Sequence, residues 1–212
     1  VFERLCYKVN EVNNYIEDKG FNLSILNLGG GFGIDYENPE RNPIPDFKSY
    51  FQTINQNLKV KPWQKVHFEL GRSIVAQMGT LIARVLYIKN GRTKNFAVVD
   101  AGMTELIRPA LYNSVHKIEN LTQSIAGGTV PQNSMKYDIV GPVCETTDFL
   151  GRGVSLPATY RGDLLAVLSV GAYGQSMASN YNLRERAGVV YSDDQSNNNS
   201  IEEVPSRQAT TN

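Results

Sequence analysis

Apolar residues recur at three- and four-residue spacing at the start of the chain and predict an amphipathic helix. The repeat covers residues 1–18, and Gly20 follows it as a stop signal. A strand is predicted over 24–28, then a second helix begins after Asp46, and a second strand covers 65–69. The apolar faces that we expect to be buried comprise Phe2, Leu5, Val9, Val12 and Ile16 in the first helix and Phe47, Tyr50, Phe51, Ile54 and Leu58 in the second.

The order helix, strand, helix, strand indicates parallel strands joined by crossover helices. A parallel sheet binds its ligands beyond the carboxyl ends of its strands. Residues 29–31 follow the first predicted strand, and residues 69–72 follow the second. We therefore expect both turns to lie at the edge of the sheet where ligands bind, so that they can face one site.

After Ser73 the helical spacing gives way to short runs of β-branched and aromatic residues. Gly and Asn bound these runs, which is typical of antiparallel strands. We place a boundary near residues 74–77, between a first domain of residues 1–76 and a β-rich second domain of residues 77–191. Residues 192–212 are rich in Ser, Asn and Thr and have little to bury, which predicts a disordered tail. The predicted strands of the second domain cover residues 80–88, 95–100, 136–140 and 163–170.

Composition and charge exclude several classes of function. The 212 residues carry 21 basic and 21 acidic side chains, so no net charge favours nucleic acid or an anionic membrane surface. Cys6 and Cys144 lie far apart with no CxxC spacing, which argues against a disulfide framework or a zinc site and fits a reducing cytoplasm. No apolar run approaches the ~20 residues that span a bilayer. We expect a cytoplasmic protein that holds no metal and binds a small molecule or another protein.

Three consecutive glycines, Gly29, Gly30 and Gly31, end the first predicted strand. Their N–H groups have no Cβ to shield them, so the turn can form a concave nest that suits a phosphate. The alternative is a tight connection without a ligand, because a lone Gly-rich turn needs structural context before it indicates a site.

Further candidate chemistry lies in short motifs that follow one another along the chain: GGGFG (29–33), ELGR (69–72), DAGM (100–103), RPALY (108–112), GPVCE (141–145) and GAYG (171–174). Together they resemble the meso-diaminopimelate decarboxylases, which are pyridoxal-phosphate (PLP) enzymes of the fold type III, alanine-racemase-like group. The resemblance extends from residue 1 to about residue 191. It implies an α/β part followed by a mainly β part: the last units of a PLP-binding (β/α)8 barrel and then a β domain, in a homodimer.

The resemblance also implies a place for several residues around PLP. Gly29–Gly31 would hold the phosphate, and Gly71 and Arg72 would contact the cofactor as well. Glu69 would contact the pyridine nitrogen and keep it protonated, which strengthens the ring as an electron sink. Tyr173 would place its hydroxyl near both the cofactor and the substrate.

The implied substrate, meso-diaminopimelate, carries two carboxylates and two ammonium groups. Arg72 and Arg108 each offer a guanidinium that can clamp a carboxylate through two parallel hydrogen bonds, and Tyr112 would help to hold the substrate. Glu145 would pair with the distal ammonium. Cys144 would donate the proton that replaces the departing carboxylate, and it would do so in the active site of the neighbouring subunit.

The chain begins without Met, and none of its lysines lies in the motif that forms the Schiff base with PLP in this family. We therefore interpret it as part of a longer enzyme and expect no turnover from it alone. Two other functions stay open. One is a related decarboxylase that acts on arginine, ornithine or carboxynorspermidine, although Arg108 and Glu145 favour a substrate with two amino-acid ends. The other is a non-catalytic homologue that regulates an active relative.

Overall fold

The computed structural model describes residues 1–125 and 134–192, and the predicted tail after Ser192 lies outside these ranges. The described residues form two separate β-sheets with helices around them. The helices are α1 (Phe2–Asp18), α2 (Phe47–Asn57), α3 (Gly71–Val75), α4 (Arg108–Tyr112) and α5 (Leu121–Ile125), with 3₁₀ turns at Ala76–Met78, Gln175–Met177 and Tyr181–Leu183. The strands are β1 (Ile25–Asn27), β2 (Lys65–His67), β3 (Leu81–Asn90), β4 (Asn95–Val99), β5 (Ile118–Asn120), β6 (Met135–Val140), β7 (Phe149–Leu156) and β8 (Leu164–Val167).

The first sheet consists of β1 and β2, which run parallel as the alternation of helices and strands predicts. Asp46 caps α2, because its Oδ1 accepts a hydrogen bond from the Ser49 N–H at 2.9 Å. Hydrogen bonds from the Ser49 hydroxyl and from the Ser49 N–H lower the pKa of the Asp46 carboxyl. The core between the helices and this sheet contains Cys6, Leu28, Tyr50, Ile54, Leu58 and Leu70.

Two residues predicted to be buried are exposed. Val12 retains 54% of its accessible surface and Phe51 retains 42%. α1 packs against α2 on one side, so the outer part of its apolar stripe, which includes Val12, has no cover. The Phe51 ring packs against Tyr50 and Phe68, with 5.1 Å between the ring centroids in both pairs, and its uncovered part faces outward.

The second sheet has six strands in the order β5-β8-β3-β4-β6-β7. Most neighbours are antiparallel, as predicted, but β4 and β6 pair in parallel. The reason is the long connection between them, since the chain forms α4, β5 and α5 before it returns as β6. The core of this sheet is aliphatic and includes Val85, Val99, Leu106, Ile139, Leu150, Leu165 and Val167.

The connection between the two sheets is helical. The predicted boundary at residues 74–77 falls within α3 and the 3₁₀ turn that follows it. Ala76 is fully buried, and its carbonyl oxygen accepts a hydrogen bond from the Gly171 N–H at 2.8 Å. Within the described ranges, no helix is both long and apolar enough to cross a membrane.

Candidate active site

The glycine turn after β1 and the turn after β2 lie against each other, as the parallel pairing predicts. The Glu69 N–H donates to the Gly29 carbonyl oxygen at 2.8 Å. Asn27 Nδ2 donates to Glu69 Oε1 at 2.7 Å, so Asn27 fixes the orientation of the Glu69 carboxylate. A Cβ at Gly30 would overlap the Glu69 carbonyl oxygen, and glycine is therefore required where the two turns meet.

The conformation of the glycine turn leaves two amides open. Gly29 and Gly31 have φ angles of +66° and +89°, in the left-handed region that favours glycine. The Gly29 N–H donates to Asn27 Oδ1 at 2.9 Å. The N–H groups of Gly30 and Gly31 donate to no residue in the described part of the chain. Neighbouring free amides in such a turn suit a phosphate.

Arg108, the first residue of α4, is buried, with 7% of its surface exposed. Its guanidinium carbon lies 5.2 Å from the centroid of the Tyr173 ring, 5.5 Å from that of Tyr112 and 5.8 Å from that of Tyr36. Its Nε has no hydrogen-bond partner among the described residues. The three rings stabilise the cation, but a buried guanidinium still needs an anion, so this cage fits a carboxylate ligand.

Tyr173 has an uncommon backbone conformation. Its φ angle is +68°, in the left-handed region that non-glycine residues seldom occupy. The flanking residues leave little room, because a Cβ at Gly171 would overlap the Val75 carbonyl oxygen and one at Gly174 would lie 2.5 Å from the Val170 carbonyl oxygen. Such strained positions cluster at functional sites, where the surrounding structure enforces them. In this conformation the Tyr173 ring lies against the Arg108 guanidinium.

Tyr36 and His116 lie beside Arg108, although neither belongs to any of the six sequence motifs. Their ring centroids are 4.8 Å apart. His116 Nδ1 lies 2.9 Å from the Leu168 carbonyl oxygen, which makes Nδ1 the protonated nitrogen. Burial lowers the pKa of His116, and the Arg108 charge lowers it further, against the opposing effect of the hydrogen bond to Leu168. The imidazole is therefore neutral near pH 7.

We expect the neutral state of His116 to make stability depend on pH. Because folding lowers the pKa of His116, the neutral imidazole contributes to the free energy of unfolding above the pKa of unfolded histidine, about 6.5. This contribution is lost as the pH falls below that value. A decrease of about 1 kcal/mol in the free energy of unfolding lowers the melting temperature by about 2–4 °C. Thermal melts at pH 7.5 and 5.5 should show a smaller drop for His116→Gln than for His67→Gln, which alters an exposed histidine. Equal drops would contradict this explanation.

Three other predicted site residues have no hydrogen bond, ion pair or ring contact with Arg108 among the described residues. Arg72 lies in α3, half-buried, and its guanidinium makes no hydrogen bond or ion pair with the described residues. Cys144 and Glu145 are exposed in the loop between β6 and β7, and within the described chain neither contacts Arg108. Among the described residues, no three His, Cys, Asp or Glu side chains are placed to hold a metal ion.

The family of the chain follows from the comparison with known sequences. The profile of the family described as "Pyridoxal-dependent decarboxylase, C-terminal sheet domain" matches residues 6–171. The chain belongs to this family of decarboxylases. It is 50% identical over 184 residues to the diaminopimelate decarboxylase of Bacteroides thetaiotaomicron. The aligned region covers 87% of this chain and 46% of that relative. It is 41% identical to the enzyme of the same name from Aquifex aeolicus, over 86% of this chain and 41% of that relative.

Solved structures of decarboxylases in this family share the fold. The crystal structure of diaminopimelate decarboxylase from Helicobacter pylori, complexed with L-lysine, superposes with a TM-score of 0.71 at 37% identity. The match covers 86% of this chain and 43% of that one. The six-stranded mixed sheet corresponds to the C-terminal sheet domain of the family. The chain thus spans less than half the length of these relatives.

Proposed function

We propose that this chain forms part of a PLP-dependent carboxy-lyase that converts meso-2,6-diaminopimelate to L-lysine. One observation carries the proposal: the buried guanidinium of Arg108 lies among three tyrosine rings, and its Nε has no partner in the described chain. A substrate carboxylate fits this cage. The similarity to diaminopimelate decarboxylases, at 50% and 41% identity, supports the reaction.

The substrate is assigned from its charges. Diaminopimelate has an amino-acid group at each end, so a carboxylate remains after the other has left as CO2. Arg108, with Tyr112 and Tyr173, holds this second carboxylate, and Arg72 adds positive charge on the cofactor side. Glu145 carries the negative charge that pairs with the distal ammonium. Ornithine lacks the second carboxylate and would leave the buried charge of Arg108 without a partner.

The turns after β1 and β2 fit the cofactor. The free N–H groups of Gly30 and Gly31 would bind the phosphate, with Gly29, Gly71 and Arg72 completing the cofactor site. When bound, PLP accepts the electron pair that remains when the bond from Cα to the carboxylate breaks. Glu69, oriented by Asn27, would keep a proton on the pyridine nitrogen. Cys144 would supply the proton that Cα receives in place of CO2.

The parallel pair β1 and β2, with α2 between them in sequence, supports the last units of a (β/α)8 barrel in residues 1–76. An apolar groove of about 520 Å³ lies between α2 and β2, where a further barrel unit would pack. Phe51, Leu58, Val66 and Phe68 line it. The β domain then comprises residues 77–191.

We further propose a cytoplasmic homodimer with shared active sites. Cys144 and Glu145 are exposed, and within the described chain no hydrogen bond or ion pair joins either of them to Arg108. A two-fold axis would let each subunit lend this pair to the site of its partner. The free thiols of Cys6 and Cys144 fit a reducing compartment.

The substrate assignment can be tested in a fused protein, in which this chain is joined to the portion of the Bacteroides relative that it does not cover. We expect kcat/KM for meso-diaminopimelate to exceed that for ornithine, arginine or carboxynorspermidine by a factor of about 100 or more, because the others leave Arg108 unpaired. A preference for one of the others would identify a related decarboxylase. Bound PLP without turnover of any substrate would identify a non-catalytic homologue.

Replacing Gly30 with alanine should weaken PLP binding in the fused protein. The new Cβ would overlap the Glu69 carbonyl oxygen and push the two turns apart, at a cost of about 1–3 kcal/mol, or about 5- to 150-fold in affinity. Gly33→Ala is the matched control, because nothing lies within 4 Å of its Cβ position. Absorbance titration with PLP measures both affinities. Equal affinities for the two variants would exclude this turn from the cofactor site.

A further inference from the structure

Asp148 is a buried carboxylate that belongs to none of the six sequence motifs and has no role in the proposed chemistry. It is 4% exposed and lies directly before β7. Its Oδ1 accepts a hydrogen bond from the Met103 N–H at 2.7 Å, and its Oδ2 accepts one from the Val143 N–H at 2.8 Å. The two donors are 40 residues apart in sequence, in the DAGM and GPVCE motifs. One carboxylate therefore joins two loops.

Two glycines make room for this carboxylate. A Cβ at Gly102 or at Gly141 would overlap the oxygens of Asp148. One of these glycines belongs to each motif. Neither has a positive φ angle, so the need for glycine comes from the close approach of the carboxylate and not from backbone conformation.

The loop that carries Cys144 closes around Asp148. The Gly141 N–H donates to the Asp148 carbonyl oxygen at 3.0 Å, and the Asp148 N–H donates to the Glu145 carbonyl oxygen at 3.1 Å. With the bond from the Val143 N–H to the side chain, these contacts fix the loop on both sides of Cys144. The position of the Cys144 thiol thus depends on Asp148.

The loop that contains the DAGM motif, between β4 and α4, leads to Arg108. Glu105 Oε2 accepts hydrogen bonds from the Gly102 N–H at 2.7 Å and from Thr104 Oγ1 at 2.8 Å. Because the Met103 N–H binds Asp148, two buried carboxylates hold this short segment in place. The chain then enters α4 at Arg108. Asp148 therefore connects the loop of the proposed proton donor with the loop before the proposed carboxylate clamp.

We propose that Asp148 is a positioning residue that holds the loops of Cys144 and Arg108 in one fixed arrangement. This inference rests on the proposed function for the roles of those two residues. Asparagine cannot replace Asp148, because its amide has one acceptor oxygen and an NH2 group that would face one of the two N–H donors. A shift of about 1 Å in such a catalytic arrangement can lower the rate about 100-fold.

The test uses the fused protein with bound PLP. In Asp148→Asn we expect amide hydrogen exchange at Met103 and Val143 to accelerate together, and kcat per bound PLP to fall about 100-fold with unchanged PLP affinity. The control is Asp138→Asn. Asp138 is a similarly buried carboxylate in β6 that accepts a hydrogen bond from the Gly153 N–H at 2.7 Å, and its loss should change neither quantity.

Because kcat is calculated per bound PLP, unfolded protein does not affect the comparison. Gly141→Ala is a second variant, in which the new Cβ displaces the Asp148 carboxylate without removing it. The proposal is wrong if kcat stays unchanged while both amides exchange faster, or if neither amide responds. An equal loss of kcat in Asp138→Asn would also overturn it. Failure of the proposed function looks different, because the unsubstituted fused protein would then show no turnover of meso-diaminopimelate while Asp148→Asn still alters exchange at both amides.

Discussion

Arg108→Lys should weaken the binding of meso-diaminopimelate to the fused protein by about 10- to 100-fold, because hydrogen bonds to charged groups contribute about 1.5–3 kcal/mol. The guanidinium of Arg108 is planar and lies among the rings of Tyr36, Tyr112 and Tyr173. A lysine ammonium is a point charge that cannot bind a carboxylate through two parallel hydrogen bonds. PLP binding should stay unchanged, since the glycine turn and Glu69 are not altered.

Paired titrations with PLP and with meso-diaminopimelate measure this difference. Arg152→Lys is a suitable control, because the Arg152 guanidinium also lies over an aromatic ring, 3.9 Å from the centroid of Phe149, but is exposed on the sheet. The control should leave both affinities as they are. Equal losses for PLP and substrate in Arg108→Lys would show that Arg108 supports the fold and does not select the substrate.

Cys144→Ala should lower kcat by about 100- to 10,000-fold, the range that a positioned general acid contributes. We expect only kcat to decrease, while the affinities for PLP and substrate stay unchanged. Cys6→Ala is the control, because Cys6 is fully buried in the core between α1 and α2 and burial raises the pKa of its thiol. An unchanged kcat in Cys144→Ala would remove the thiol from the mechanism.

Mixed dimers test whether Cys144 acts in the partner's site. A variant without the cofactor lysine in the fused barrel portion and a Cys144→Ala variant should each be inactive. When their subunits exchange, one of the two sites in a mixed dimer has both groups, and activity should return. If exchange is demonstrated by labelled subunits and no activity returns, the active site is not shared.

Local signals were sufficient for the first part of the fold. The helical spacing in residues 1–18 and the capping residue Asp46 predicted α1 and α2, and the alternation of elements predicted the parallel pairing of β1 and β2. Each of these features depends on residues that are close in sequence. The exposure of Phe51 could not be predicted, because it depends on which neighbours cover α2.

The second sheet contains strands that the sequence did not predict. β7 reads FLGRGVSL, and its glycines at 151 and 153 interrupt the alternating pattern of a strand. β5 has three residues, Ile118–Asn120, which is too short for any periodicity. The parallel pairing of β4 with β6 joins segments about 40 residues apart, and a local pattern carries no information about such a pair.

The residues of the candidate site also form two groups, those that sequence motifs mark and those that only the structure reveals. The resemblance located Gly29–Gly31, Glu69 and Arg108 through their motifs, and the structure brings the first two together. Tyr36, His116 and Asp148 join the candidate site through contacts between distant segments, such as the 4.8 Å separation of the Tyr36 and His116 rings. No spacing in the sequence marks them. A buried residue outside a motif becomes visible only when the neighbours that enclose it are known.

We propose that this chain completes a diaminopimelate decarboxylase. The most direct measurement is the stoichiometry of products from the fused protein with PLP and meso-diaminopimelate. CO2 and L-lysine should form in equal amounts, and the reaction should depend on Cys144 and Arg108. A folded fused protein that binds PLP but forms neither product would contradict the claim.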